Sequence, residues 1–259
     1  MRPIVRYSAF GAEATTDELV DEAPVEFRLG GVPIAVLMRT PGDDENLGLG
    51  FALTEGIVLN PREVQDVRQV EGADEGDRYE IVLAEGVHLD PEQFRRNLYT
   101  SSSCGVCGKA SIDAVRVTAR TIPEGPAMEA TTLRTLPATM HASQVLFNAT
   151  GSIHAAAAVT ANGNLVAIAE DIGRHNAVDK LVGGLSRTQW PLEGLVLVVS
   201  GRLSFEMVQK AAVAGIPIIA GVSGASSLAV ELGDELGMTV IGFLREEGFN
   251  VYCGNERIS

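Results

Sequence analysis

Cysteine is scarce in this chain, with three in 259 residues, too few for a disulfide framework and typical of a protein kept in a reducing cytoplasm. Positive charge is also short. Twenty Lys and Arg stand against 34 Asp and Glu, a net charge of -14, which argues against a general nucleic-acid binder. Any anionic ligand must therefore meet a local basic cluster. No segment reaches the length of a membrane span, and the opening MRPIVRYSAFGAEATTDELVDEAP carries two arginines but no apolar core of a secretory signal. What is plentiful is apolar content, 46% of the residues, enough for one large domain or two small ones with real cores.

Two of the three cysteines fall in Ser101-Ser102-Ser103-Cys104-Gly105-Val106-Cys107-Gly108-Lys109. Glycine and serine impose little backbone preference, and the stretch has no apolar face, so it is expected to be a mobile loop with exposed sulfur. A thiol becomes nucleophilic as thiolate, which an exposed position near Lys109 favours, so Cys104 and Cys107 are candidate reactive sulfurs. Three other readings compete. Structural zinc needs four ligands, and the chain offers this pair, a distant Cys253 and four scattered histidines. A thioredoxin-type pair opens a helix directly after a strand, whereas these flanks are Ser- and Gly-rich. An accidental pair conflicts with the usual avoidance of surface cysteine.

Along the chain, Ile4 to Tyr7 is strand-like and leads into an acidic arm without periodicity up to residue 24. VEFRL and VPIAVLM flank Gly30-Gly31 and predict a hairpin, and Asn46 to Ile57 predicts a short helix. Asp66 to Val70 and Tyr79 to Leu83 predict strands, and Asp90-Pro91 opens a helix through Phe94 to Tyr99. Order resumes over Ile112, Val115 and Val117, then Ile122-Pro123-Glu124-Gly125-Pro126 breaks the pattern. The expected division is a smaller N-terminal α+β domain over 1–125, ending in the thiol loop, and an α/β domain over 126–259. In the second, a helix from Pro137 to Asn148 precedes a hairpin, Ile153 to Thr160 and Leu165 to Ala169, around Asn162-Gly163. Helices at Asn176 to Leu185, Phe205 to Ala214 and Ser226 to Leu236 then alternate with apolar strands at Leu195 to Val199, Ile216 to Val222 and Met238 to Leu244. That alternation predicts a mostly parallel sheet in a three-layer α/β/α unit.

In such sheets ligands collect at the carboxyl ends of strands. The loops there are Glu170 to Asn176, Ser200 to Ser204, Gly221 to Ser226, and Phe243 to Gly248. Arg174, His175, Lys180, Gly201, Arg202 and Arg245 are the candidate ligand contacts, an arrangement that could concentrate positive charge. The alternative is that the glycines only make turns and the arginines pair with Glu170, Asp171 or Glu246. His154 and His175 lie in no metal-binding i, i+4 pair. The element order invites comparison with zinc deaminases, but the place of their P-C-x-x-C reads Ser200-Gly201-Arg202-Leu203-Ser204, which leaves zinc no ligands there.

The set SSSCGVCGKASI, TGSIHAAA, EDIGRHNAVDKLVG, SGRLSFEMVQKAA, GVSGASSLAVELG and GFLREEGFNVY resembles the formate dehydrogenase accessory family, FdhD, over nearly the whole length. The resemblance implies a sulfurtransferase that takes persulfide sulfur from a cysteine desulfurase. It then passes that sulfur to the bis-molybdopterin guanine dinucleotide cofactor of formate dehydrogenase, with GDP as a surrogate ligand. It implies a cytidine-deaminase-like C-terminal domain without the zinc site and a homodimer. By position, Cys104 is the persulfide carrier with Cys107 as partner, and Phe243, Leu244, Arg245, Glu246, Glu247 and Gly248 contact the cofactor. The alternative function is a non-catalytic chaperone that delivers the cofactor.

Overall fold

The computed structural model of the chain describes residues 1–70, 77–94, 122 and 125–259. The expected thiol loop, the continuation of a helix to Tyr99 and the order around Ile112 to Val117 lie outside these residues.

The chain opens with β1 (Arg2–Ser8) and β2 (Gly11–Asp17), an antiparallel ribbon where the sequence suggests a strand-like run and a patternless arm. Strands β3 (Ala23–Leu29) and β4 (Val32–Arg39) form the expected hairpin, with Gly30 and Gly31 both at positive φ, as a type I′ turn demands. With β5 (Val64–Gln69) and β6 (Asp77–Leu83) they make a four-stranded sheet of order β4-β3-β6-β5. Alternation decides its buried face. Val25, Phe27 and Leu29 point inward, with Ile34, Val67 and Ile81, onto Leu47, Leu49, Ala52 and Leu53 of helix α1 (Asp44–Thr54). Each such side chain contributes about 1.5–3 kcal/mol when fully buried. The helix predicted after Asp90-Pro91 is a single 3-10 turn over Pro91–Gln93 within the described residues.

The larger unit begins with α2 (Ala130–Ala142) and α3 (Val145–Thr150), where the sequence predicts one helix starting at Pro137. Proline instead sits inside α2, and the break falls at Ser143-Gln144. There follow β7 (His154–Thr160), β8 (Leu165–Asp171), α4 (Arg174–Ser186), β9 (Leu195–Val199), α5 (Phe205–Val213), β10 (Ile218–Gly221), α6 (Ser227–Glu235), β11 (Thr239–Gly242) and β12 (Asn250–Cys253). The six-stranded sheet has order β12-β11-β10-β9-β7-β8. β9, β10 and β11 pair in parallel and β8 points the same way, but β7 and β12 run opposite, so three of the five pairings are antiparallel and the sheet is mixed.

Both faces of this sheet are covered, which is why its central strands are apolar without alternation. On one side Ala156, Ala158, Leu197, Val199, Ile219 and Val240 meet helices α4, α5 and α6. On the other, Ala155, Ala157, Val196, Val198, Ile218 and Ile241 meet Leu133, Leu136 and Met140 of α2. Ile122 already packs in the first of these cores.

The two units join where α1 crosses α4, and glycine makes the approach possible. A Cβ on Gly50 would lie 1.8 Å from the carbonyl oxygen of Asp179, and one on Gly183 would lie 2.0 Å from that of Asn46. Buried ion pairs flank the crossing. Lys210 Nζ donates to Asp179 at 2.9 Å, to Glu55 at 2.9 Å and to Thr54 Oγ1 at 2.8 Å. Burial works against that ammonium, but Asp179 and Glu55 override it and hold it charged, above the ordinary lysine range.

Candidate ligand-binding crevice

Strand direction gathers the chemistry at one end of the large sheet. The carboxyl ends of β8, β9, β10 and β11 and the start of antiparallel β7 all lie there. Those ends carry Asp171 to Asn176, Ser200 to Ser204, Val222 to Ser226, Phe243 to Gly248, and His154.

At the β7–β9 junction, Ser200 Oγ accepts from the Ala155 N–H at 3.0 Å and lies 3.2 Å from His154 Nδ1. The hydroxyl keeps its proton and a second lone pair, so it can pair with either tautomer of a neutral imidazole. Burial, then the positive charge of Arg174 and His175, pushes the His154 pKa below its usual value, in agreement with that geometry. Gly201 is buried beside them, and a Cβ there would stand 3.5 Å from Arg174 Cδ and 3.6 Å from the His154 ring. His175, in the first turn of α4, places Nε2 2.9 Å from Glu206 Oε2 in the first turn of α5. Buried Glu206 Oε1, Ser204 Oγ and Arg174 Nε have no partner among the described residues. Neither α4 nor α5 carries a side-chain N-cap bond.

On the far side of the crevice, Phe243 adopts φ +52° and leaves its ring half exposed. A Cβ on Gly224 would come within 2.9 Å of that ring, so the loop after β10 is cut to fit it. Leu244 is fully buried, whereas Arg245, Glu246 and Glu247 are exposed. Arg245 spends Nη1 on the carbonyl oxygens of Val222 and, at 2.9 Å, Leu244, and its N–H bonds Gly248 O at 2.9 Å. Strands β8 and β11 stand four spacings apart, about 19 Å. A ligand that meets both ends of this row of loops must therefore be extended, whereas a single ion would meet only one end.

The structure brings Arg174, His175 and Gly201 together, sets Arg202 exposed in the same loop as Gly201, and puts the 243–248 segment at the other end. Lys180 does not join them. Its Nζ is buried 2.8 Å from Asp171 Oδ2 and donates to Thr40 O at 2.8 Å, so it ties the small unit to the large one. Asp171 is the hub of that tie, accepting also from Thr40 N–H at 3.1 Å, Gly173 N–H at 2.8 Å and Asn176 Nδ2 at 2.9 Å. Sequence reasoning missed Glu206 and the Ser200 contact with His154. An acidic residue in the first turn of a predicted helix reads as ordinary helix chemistry, and only the fold shows that it faces His175. Among the described residues no group of three or more His, Cys, Asp or Glu is arranged to hold a metal ion. Cys104 and Cys107 lie outside the described residues.

The family model of the FdhD/NarQ family matches residues 20–259, which include every element of the crevice. The chain belongs to the FdhD/NarQ family. Its relatives include the sulfur carrier protein FdhD of Streptomyces coelicolor, 48% identical with 100% of this chain and 95% of that protein covered. The sulfur carrier protein FdhD of Streptomyces avermitilis is 49% identical at the same coverage. Among solved structures, a chain described as a formate dehydrogenase accessory protein from Desulfotalea psychrophila superposes with TM-score 0.78 over 100% of this chain and 98% of its own, at 24% identity. That likeness shows that the two chains share a fold. No helix among the described residues is long and apolar enough to cross a membrane.

Proposed function

We propose that the protein is a sulfur carrier that serves formate dehydrogenase in the cytoplasm. Its Cys104 thiolate takes the terminal sulfur of a cysteine desulfurase persulfide, forming Cys104–S–SH and freeing the donor's thiolate. The observation that carries this reading is full-length identity of 48% to a protein named as a sulfur carrier, in a chain that holds SSSCGVCGK at 101–109. Cys107 gives the persulfide an outlet. Its thiolate can attack Cys104 Sγ, form the disulfide and expel hydrosulfide, so the two electrons come from the thiol pair.

The recipient is bis-molybdopterin guanine dinucleotide, a long anionic cargo, and the crevice has the properties such a cargo needs. Arg174 and Arg202 offer positive charge near the N-termini of α4 and α5, in a protein of net charge -14. Phe243, held open at the opposite end, offers a ring face for a base. His175 and Glu206 open the two helices where zinc deaminases keep their metal and general base, which supports reading the layered unit as a cytidine-deaminase-like domain without zinc. A homodimer completes the proposal.

Intact-protein mass spectrometry after incubation with a cysteine desulfurase and cysteine tests the carrier. A gain of one sulfur is expected in the wild type and not in Cys104→Ala, while GDP binding survives in both. Desulfurase turnover without sulfur gain on the wild type would favour a cofactor-delivering chaperone.

A further inference from the structure

Strand β5 forms one edge of the small sheet, and among the described residues no strand pairs with its outer side. A cavity of about 430 Å³ lies there, walled also by Ser186 to Trp190 at the end of α4. Val64, Gln65, Asp66 and Val67 all line it. Successive side chains of a strand point to opposite faces, so a cavity lined by four in a row lies along the edge of the sheet and not on one face. It therefore meets the outward N–H and C=O groups of β5, which an adjoining strand would pair.

We infer that this slot takes the C-terminal tail of another protein as an added strand, with the tail's carboxylate at Arg62 and Arg187. The lining holds these two arginines against one carboxylate, Asp66, in a chain of net charge -14. Both arginines are exposed, and Arg187 spends Nε on Asn46 Oδ1 at 3.0 Å, which leaves its Nη groups for an anion. The carbonyl end of α4 repels a carboxylate, but Arg187 is the C-cap residue there and offsets that charge.

Direction follows from position. Arg62 lies in the turn Pro61–Glu63 that leads into β5, so a tail that ends beside it runs antiparallel to β5. The ladder with β6 shifts register between Val64 and Asp66, so regular pairing of a new strand runs beside Asp66 to Gln69 and stops where the cavity opens. An apolar last side chain suits the lining there, which includes buried Leu49 and Val67 and half-buried Trp190. Main-chain pairing to a sheet edge and capture of a terminal carboxylate are both recurring modes of peptide recognition. The chain's own C-terminus is not the occupant, in this copy or another. Ser259 donates its N–H to Met128 O at 3.1 Å and its carbonyl accepts from Ala130 N–H at 2.8 Å, which ties it to the large unit. The inference does not rest on the sulfur chemistry, and its failure would leave sulfur loading of Cys104 untouched.

The test is affinity selection by the full-length protein from two pools of acetylated hexapeptides randomised at every position, one pool with free C-terminal carboxylates and one amidated. Mass spectrometry should find peptides with an apolar last residue enriched from the first pool and not from the second. The best of them should shift the fluorescence of Trp190 and slow amide exchange in β5 but not in β4, the opposite edge of the sheet. Arg62→Gln, an exposed substitution, should raise the peptide dissociation constant about tenfold. No enrichment from the carboxylate pool, equal enrichment from the amidated pool, or a dissociation constant indifferent to Arg62→Gln would overturn the inference. So would outer-edge amides of β5 that exchange slowly before any peptide is added, because the slot would already be filled.

Discussion

His154 shows how one buried group reports on the charges around it. Its folded pKa lies below the unfolded value of about 6.5, so between the two the unfolded chain binds more protons and stability rises with pH. The contribution is present above the unfolded pKa and is lost as pH falls from there towards the folded pKa. In an NMR titration the His154 imidazole should therefore protonate below the usual histidine range on acidification, and His154→Gln should flatten the stability slope just below pH 6.5. An imidazole that titrates like a free histidine would contradict its burial beside Arg174. At the other end of the crevice, a Cβ on Gly224 would meet the Phe243 ring at 2.9 Å, on a loop that can give slightly. Gly224→Ala is expected to displace the ring and weaken GDP binding by about three- to tenfold, roughly 1 kcal/mol, with little change in thermal midpoint. Calorimetric titration measures both arms; unchanged affinity would remove Phe243 from the ligand site.

Elements differ in how plainly the sequence announces them, and the reasons are physical. The β3–β4 hairpin is legible because Gly30-Gly31 supplies two positive φ values between alternating runs. The central strands are legible because burial on both faces leaves unbroken apolar runs. β12 is not, since Asn250 to Cys253 is a short edge strand flanked by Gly248 and Gly254, with no apolar alternation of its own. Strand β2 hides for a related reason, although the run Ile4 to Tyr7 of β1 is legible: GAEATTD buries nothing in the chain, so no periodicity marks it. In the crevice the loops and arginines could be read, but the inward turn of Lys180 depends on Thr40, 140 residues away, which no local pattern encodes. Helix α1 is a case between. Its glycines look like weak helix formers, yet Gly50 faces α4 with no room for a methyl group against the Asp179 carbonyl. Gly50→Ala must push two backbones apart and should cost about 3 kcal/mol or more, the upper range of overpacking. Ala would stabilise an isolated helix, so a rise in the urea midpoint would show that the crossing is looser than described.

At the scale of the molecule, the question is whether the two sheets unfold as one body. They share the glycine-lined crossing, the Asp171 hub and the Lys210 cluster, and Trp190 packs against both the small core and the α4–α6 side of the large one. That tryptophan is the only one in the chain, so its fluorescence reports on the junction, while far-UV circular dichroism reports on all elements. The wild type should give coincident urea transitions by the two probes. Lys210→Met keeps much of the side-chain volume but leaves Asp179 buried without its cation, which costs about 3–5 kcal/mol. With a slope near 3 kcal/mol per molar urea, the midpoint should fall by roughly 1 M or more. Where the units are coupled through this cluster, both probes must move together in the variant. If the fluorescence transition moved alone, the junction would open before the cores melt, and the ion pairs would serve as a hinge between two independently stable units. A common shift instead makes the junction part of the fold itself, and it holds the base of α4, and with it Arg174 and His175, at the mouth of the crevice.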